Sequence, residues 1–336
     1  ALLLAACNSG TRHAGDLSSN VPVYSHEISE SVQEILPSLV EVVSILDYNI
    51  ENFVYDVSSG AYVRDPKSPV GYKLDRSEGQ NGVIRNKENI QSFGGGLVIG
   101  ESSENYLVLT SRHIVVHNDT LNYFMRLGGR QTDVLRSRAV IRDARLAIRE
   151  QERNALYNAS LIAESYRTDL ALISYSKFQT LNRVYDGAVA ENIYPIWGKL
   201  GVIMGYPDEV MQLAMGILSD SPYPGNFGIN INGTFGYSGG PVFLLSKKGA
   251  LAFAGVGRSV PGKKYFIVQP DTSLQFSTKL FPEDISKLHV REVPILSQSR
   301  MYAVDAKAIS RFLKETRARL ITERFRLAPA FRRMAR

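Results

Sequence analysis

Gly233-Thr234-Phe235-Gly236-Tyr237-Ser238-Gly239-Gly240-Pro241-Val242-Phe243 sets one serine among four glycines, directly ahead of an apolar, β-rich run. Glycine adopts backbone conformations closed to other residues. Glycines crowded around a serine therefore mark a sharp turn that offers its own N–H groups to a ligand. An acyl-transfer nucleophile needs this arrangement, an exposed Oγ with an oxyanion hole beside it. The same composition also serves a plain glycine-rich β-turn.

Two nucleophile motifs fit the stretch and imply different folds. Gly236-Tyr237-Ser238-Gly239-Gly240 satisfies G-x-S-x-G, the elbow of α/β-hydrolases, which places a helix directly after the serine and runs serine, acid, histidine along the chain. Here Pro241 is followed by Val242-Phe243-Leu244-Leu245, which reads as a strand, and then by a turn at Ser246-Lys247-Lys248-Gly249. The alternative is G-x-S-G-G-P with the order histidine, aspartate, serine. It requires both partners upstream, and both are present.

The histidine is His113. A glycine cluster, Gly94-Gly95-Gly96, runs into Leu97-Val98-Ile99, and a turn leads to the apolar strand Tyr106-Leu107-Val108-Leu109-Thr110 that delivers His113 at its end. A strand terminus on a cleft rim is where a general base belongs. The aspartate is Asp169, set between β-rich runs and directly before Leu170-Ala171-Leu172-Ile173. A carboxylate in such a setting is buried and needs a partner, and an imidazole is one such partner. Each residue has a plain structural reading when taken alone; their order and settings together are specific. His117, four residues after His113, lacks the glutamate that zinc proteases carry after the first histidine, since Ile114 stands there. No metal and no cofactor are expected.

These segments resemble the trypsin- and chymotrypsin-like serine proteases, and within them the bacterial HtrA/Deg type. The resemblance covers roughly residues 30–315, including residues 31–43 as opening helix and first strand, and Gly205-Tyr206-Pro207 with residues 215–219. It implies an all-β fold of two six-stranded antiparallel β-barrels with a C-terminal helix, acting on protein or peptide substrates. It also implies Ser238 as nucleophile, His113 as general base, Asp169 as its orienting acid, and the N–H groups of Gly236 and Ser238 as oxyanion hole. By family position Asn232 lies near the floor of the primary specificity pocket, where the lack of a carboxylate implies an uncharged side chain. Gly255, Val256 and Gly257 lie on the strand expected to pair with substrate. Two departures stand out: no stretch after Arg258 has the pattern of a PDZ domain, and Tyr237 replaces the Asp or Asn that normally precedes the serine. Two rivals follow. One is a non-catalytic binding protein on the same fold, with Tyr237 deforming the oxyanion loop. The other is an α/β-hydrolase esterase recruiting His289 with Asp271 or Asp284.

The remaining chain divides accordingly. With 336 residues, 44% apolar and 21% charged, it is an ordinary globular protein large enough for a double barrel. Leu4-Ala5-Ala6-Cys7 resembles a bacterial lipobox. Residues 1–6 then read as the end of a signal peptide, and Cys7 as an acylated anchor on a flexible tether to residue 27. No other stretch approaches the ~18 apolar residues of a spanning helix. A soluble body outside the cytoplasm is expected, and Asn8 after the cysteine hints at the outer membrane facing the periplasm. Residues 28–190 form the half carrying His113 and Asp169, and residues 191–315 the half carrying Ser238. Within them residues 47–91 read as a long hairpin or insertion, residues 139–156 as a surface helix, and residues 260–293 as irregular. Residues 316–336 are a basic tail. Of the net +6 charge (39 basic, 33 acidic), much gathers from Arg311 onward, where Phe312, Leu313, Leu320, Ile321 and Phe325 interleave at helical spacing. This reads as a closing helix with a solvated end, or as an amphipathic helix on anionic lipid. Nucleic acid is not an expected partner.

Overall fold

Runs such as Leu39-Val40-Glu41-Val42-Val43 and Leu170-Ala171-Leu172-Ile173 suit a pleated, buried backbone, and they become central strands. The structure is a computed structural model. It describes residues 24–56, 58–75, 87–127, 130–150, 155–178, 180–194, 196–246, 249–260, 262–270, 288–296 and 299–336.

Helix α1 (Tyr24–Ile35) ends where Pro37 enters a short 3-10 turn, and β1 (Leu39–Asn52) follows. A small hairpin, β2 (Tyr55–Asp56) and β3 (Ala61–Tyr62), precedes β4 (Lys87–Glu101) and β5 (Asn105–Ser111). The single turn α2 (Arg112–Val115) leads to β6 (Thr120–Leu127), β7 (Arg130–Glu150), β8 (Ala155–Ser165) and β9 (Leu170–Ser176). The second half contains β10 (Leu200–Gly205), β11 (Gln212–Asp220), β12 (Asn226–Asn230), β13 (Pro241–Leu245), β14 (Leu251–Ser259), β15 (Gly262–Pro270), β16 (Leu288–Leu296) and β17 (Met301–Asp305). It closes with α3 (Ala306–Thr322), β18 (Arg326–Leu327) and α4 (Pro329–Met334).

The strands close into two six-membered antiparallel rings. The first runs β1-β4-β5-β9-β8-β7 and returns to β1 through the β1–β7 pairing; the second is the barrel β10-β11-β12-β17-β14-β13. This is the chymotrypsin-like two-barrel fold with a C-terminal helix. Closure removes the open sheet edges that would otherwise invite pairing with other chains.

Three segments differ from their sequence reading. Of residues 139–156, read as a helix, residues 139–150 are strand: β7 pairs with β1 along residues 41–52, and this ladder outweighs the helical spacing of the apolar residues. The long hairpin read over residues 47–91 is formed by the outer parts of β1 and β4, paired from Leu39↔Leu97 out to Asn49↔Lys87, with the small β2–β3 hairpin between them. Residues 260–293 contain β15 and part of β16, which form a two-stranded ribbon beside the barrel. The end of the chain is packed rather than solvated. The side chain of Asp305 caps α3 by accepting from Ala308 N–H at 2.7 Å, β18 joins β4, and Phe331 of α4 is fully buried.

One apolar core spans both barrels and this C-terminal segment. Leu97, Leu109 and Leu172 of the first barrel meet Met204, Phe243 and Phe253 of the second, together with Phe312, Leu320 and Phe331. The Phe331 ring lies edge-on to Phe253 at 5.2 Å. Phe331→Ala is expected to lower unfolding stability by about 3–5 kcal/mol, read as the urea midpoint at unchanged m-value. An unaltered midpoint would show that α4 contributes nothing to the core.

Candidate active site

His113 is presented by a break in regular structure. Strand β5 ends at Ser111, whose extended backbone turns directly into α2, and buried Ile114 anchors that turn. Ser44 Oγ donates to Ile114 O at 2.7 Å, tying α2 down onto β1. His113, with no such tie on its outward face, is left 44% exposed at the cleft.

Asp169 holds this turn in place. It has φ +57°, in the left-handed region that an aspartate tolerates better than most residues, and that geometry closes the turn into β9. Three of its oxygens accept hydrogen bonds from α2. Its carbonyl takes Arg112 N–H at 2.9 Å, Oδ1 takes His113 N–H at 3.1 Å, and Oδ2 takes the His113 Nδ1–H at 2.8 Å. A carboxylate only accepts, so Nδ1 carries the imidazole proton and Nε2 presents its lone pair to the cleft. Asp169 is only 16% exposed, whereas water reaches the pair from the side of the more exposed imidazole.

Ser238 arrives from the second barrel. The turn is fastened at Gly95 N–H to Ser238 O (2.8 Å), Gly239 N–H to Gly257 O (2.7 Å) and Gly240 N–H to Tyr237 O (3.1 Å). Gly236 has φ +98°, and a Cβ there would sit 2.4 Å from Tyr206 O, so only glycine fits. Among the described residues the N–H groups of Gly236 and Ser238 find no acceptor. They are two unspent donors beside the serine. Tyr237 is buried among Ile203, Val242 and Ala254, where its ring anchors the turn from within.

His113, Asp169, Gly236 and Ser238 line one cleft of about 740 Å3, with Phe93, Tyr223, Thr234, Phe235, Val260 and Tyr302 among its walls. The Ser238 hydroxyl donates to Arg258 O at 3.2 Å and makes no hydrogen bond to His113. The remaining sequence-derived candidates lie elsewhere. Asn232 is exposed outside the cleft lining, and Gly255 and Val256 are buried in β14. The carbonyl of Gly257 is taken by Ser111 Oγ and Gly239 N–H. The cleft wall is instead the next three residues, Arg258, Ser259 and Val260. His289 lies on β16, while Cys7, Asp271 and Asp284 fall outside the described residues.

No protein-family model matches the sequence, and no curated protein matches it. Among solved structures the chain is similar to the serine endoprotease from Yersinia pestis, at TM-score 0.42 and 13% identity over 86% of this chain and 66% of that one. It is also similar to the HtrA-type protease AlgW with a decapeptide, at TM-score 0.43 and 14% identity over 88% of this chain and 67% of that one. The chain spans about two thirds of the length of each.

Arg258 is the residue that sequence reading passed over. Its only signal was a cation ending the apolar strand Leu251-Ala252-Phe253-Ala254-Gly255-Val256-Gly257. Its Nε lies 3.6 Å from Asp169 Oδ2, and its Nη1–H donates to Asn226 Oδ1 at 3.3 Å.

His117 serves the scaffold. Its Nε2–H donates to Ile114 O at 2.8 Å, and burial holds its pKa below the usual value. A base with a depressed folded-state pKa takes up fewer protons folded than unfolded, so stability falls as pH drops below ~6.5 toward the folded value. The urea midpoint is expected to decline between pH 7.5 and 5, and to decline less in His117→Gln. Equal slopes would assign that pH dependence to other groups.

Proposed function

We propose that the chain is a serine endopeptidase, acting in extracytoplasmic protein processing or quality control. The observation that carries this reading is the His113–Asp169 pair, bonded through both carboxylate oxygens, in one cleft with Ser238 and two unspent backbone donors. Ser238 Oγ attacks the scissile carbonyl while its proton passes to His113 Nε2. The carbonyl electron pair moves onto oxygen and is held by the N–H groups of Gly236 and Ser238. Collapse breaks the C–N bond, His113 returns the proton to the leaving amine, and water repeats the sequence on the acyl-enzyme. Asp169 keeps the imidazole in the tautomer this requires. For the first step the Ser238 hydroxyl must leave Arg258 O and turn to His113.

That resting bond also favours a second reading, a peptide-binding protein on the same fold that does no chemistry. A fluorophosphonate probe, with the adduct mapped by mass spectrometry, separates the two. An adduct on Ser238, abolished by His113→Ala and slowed about ten-thousand-fold by Asp169→Asn, is expected. A folded protein that takes no probe would instead be the binding protein. Loss of the adduct in His289→Ala alone would pass the chemistry to an esterase arrangement.

Leu4-Ala5-Ala6-Cys7 supports acylation of Cys7 and anchoring to a bacterial membrane, the outer membrane being suggested by Asn8. Metabolic labelling with an alkynyl fatty acid should mark the expressed protein and fail on Cys7→Ser. The basic residues of the C-terminal segment would add contact with anionic lipid, through exposed Arg324, Arg326, Arg332 and Arg333.

A further inference from the structure

Arg258 lines the cleft with most of its donors free of protein partners among the described residues. Of its five N–H donors, one makes a hydrogen bond among the described residues, to Asn226 Oδ1 at 3.3 Å. The approach of Nε to Asp169 Oδ2, at 3.6 Å, is an ion pair too long to count as a hydrogen bond. Asp169 is already committed, since both its carboxylate oxygens accept from His113. With 30% of the Arg258 side chain exposed and none of its nitrogens buried without a partner among the described residues, the donors that remain open to the cleft are free to exchange water for a ligand.

The guanidinium is also held in place. Asn226 is buried in β12, and its Nδ2–H donates to Pro224 O at 3.1 Å, which turns Oδ1 toward Arg258. Arg258 is the penultimate residue of β14, and its carbonyl accepts from Ser238 Oγ. The fork is therefore fixed at both ends, beside the serine and beside the imidazole. Among the residues lining the cleft it is the one permanent cation, and Asp169 is the one carboxylate. Tyr223 and Tyr302, packed edge to face at 5.4 Å, wall the same cleft. An oriented guanidinium with donors open to the cleft, beside aromatic walls, is suited to take a planar carboxylate in paired hydrogen bonds.

We propose that Arg258 is a specificity-determining residue that receives a carboxylate of the peptide substrate, so that the cleft selects acidic peptides. The inference rests on the endopeptidase reading for its peptide ligand, although the carboxylate site itself needs no chemistry at Ser238. Two sources share this chemistry, an Asp or Glu side chain and a free chain terminus.

The test uses the full chain and matched internally quenched peptides, in which one Gln at a time becomes Glu on either side of the cleaved bond. A second set compares free-acid with amidated C-termini. The readout is the ratio of kcat/KM within each pair, which cancels any general loss of activity. Wild type is expected to favour the acid by about tenfold in at least one pair, equivalent to about 1.4 kcal/mol. That ratio should collapse toward one in Arg258→Gln and fall to an intermediate value in Arg258→Lys, which keeps the charge but loses the paired hydrogen bonds. A preference within the Glu/Gln pairs assigns the carboxylate to a side chain, and one within the terminal pairs assigns it to a chain end. Should Arg258→Gln fail to fold, the wild-type ratio must still shrink between about 50 and 500 mM NaCl as the ion pair is screened. Wild-type ratios near one in every pair would overturn the proposal while leaving the peptidase reading intact. Binding to Ser238→Ala, followed by fluorescence anisotropy of labelled peptides, separates the opposite case. About tenfold tighter binding of the acidic twin, in a protein whose wild type cleaves neither, would uphold the carboxylate site and remove the peptidase.

Discussion

Gly95 of β4 lies so close to the turn carrying Ser238 that a Cβ on it would fall 2.6 Å from Gly240 Cα. The same is true next door, where a Cβ on Gly94 would meet Ser238 O at 2.4 Å. Bare backbone from the first barrel thus packs on bare backbone from the second, and the Gly95 N–H to Ser238 O hydrogen bond joins them at 2.8 Å. Any side chain at this seam would push the serine turn away from α2, and with it the distance between Ser238 and His113. The glycine cluster at residues 94–96 is therefore as much a part of the candidate site as the residues that line it.

From that contact the two barrels divide the work. The first supplies His113 and Asp169 from the ends of neighbouring strands β5 and β9, which pair from Asn105↔Ser176 to Ser111↔Leu170. The second supplies Ser238, the donor groups around it, and the Arg258 wall. Neither barrel could hold the constellation alone, and the shared core of Leu97, Leu109, Phe243, Phe253 and Phe331 keeps the halves in register. Interiors of this kind are close-packed and transmit displacement, so the C-terminal helices, remote in sequence from the cleft, help to set its dimensions.

Among the described residues lining the cleft, the one carboxylate and the one permanent cation face each other across 3.6 Å. Asp169 is drawn on by both the imidazole and the guanidinium, while the Arg258 carbonyl occupies the Ser238 hydroxyl. In this state the residues of the proposed triad are assembled but not linked end to end. The proposed catalysis then requires the Ser238 hydroxyl to exchange its bond to the Arg258 carbonyl for one to His113 Nε2.

Much of this was legible in the chain because the signals are local. A serine between glycines ahead of a strand, a histidine ending an apolar run and an aspartate beginning another each depend on a few neighbouring residues. Wherever the partner was distant, the local pattern misled. Residues 139–150 carry helical spacing yet form a strand, because the long β1 lies alongside to pair with them. The basic C-terminal run reads as a solvated end, yet β18 joins β4 and Phe331 fills the core. By itself, then, the sequence determined the identities of Ser238, His113 and Asp169 as candidates, since turn chemistry and strand pattern act over short range, while the two-barrel class was implied by the resemblance those segments carry. Only the tertiary structure decided which wall faces the serine. Whether Gly257 or Arg258 lines the cleft turns on a single residue of strand register, and that register is set by hydrogen bonds to Ser111, Gly239 and Gly240, far away in the chain.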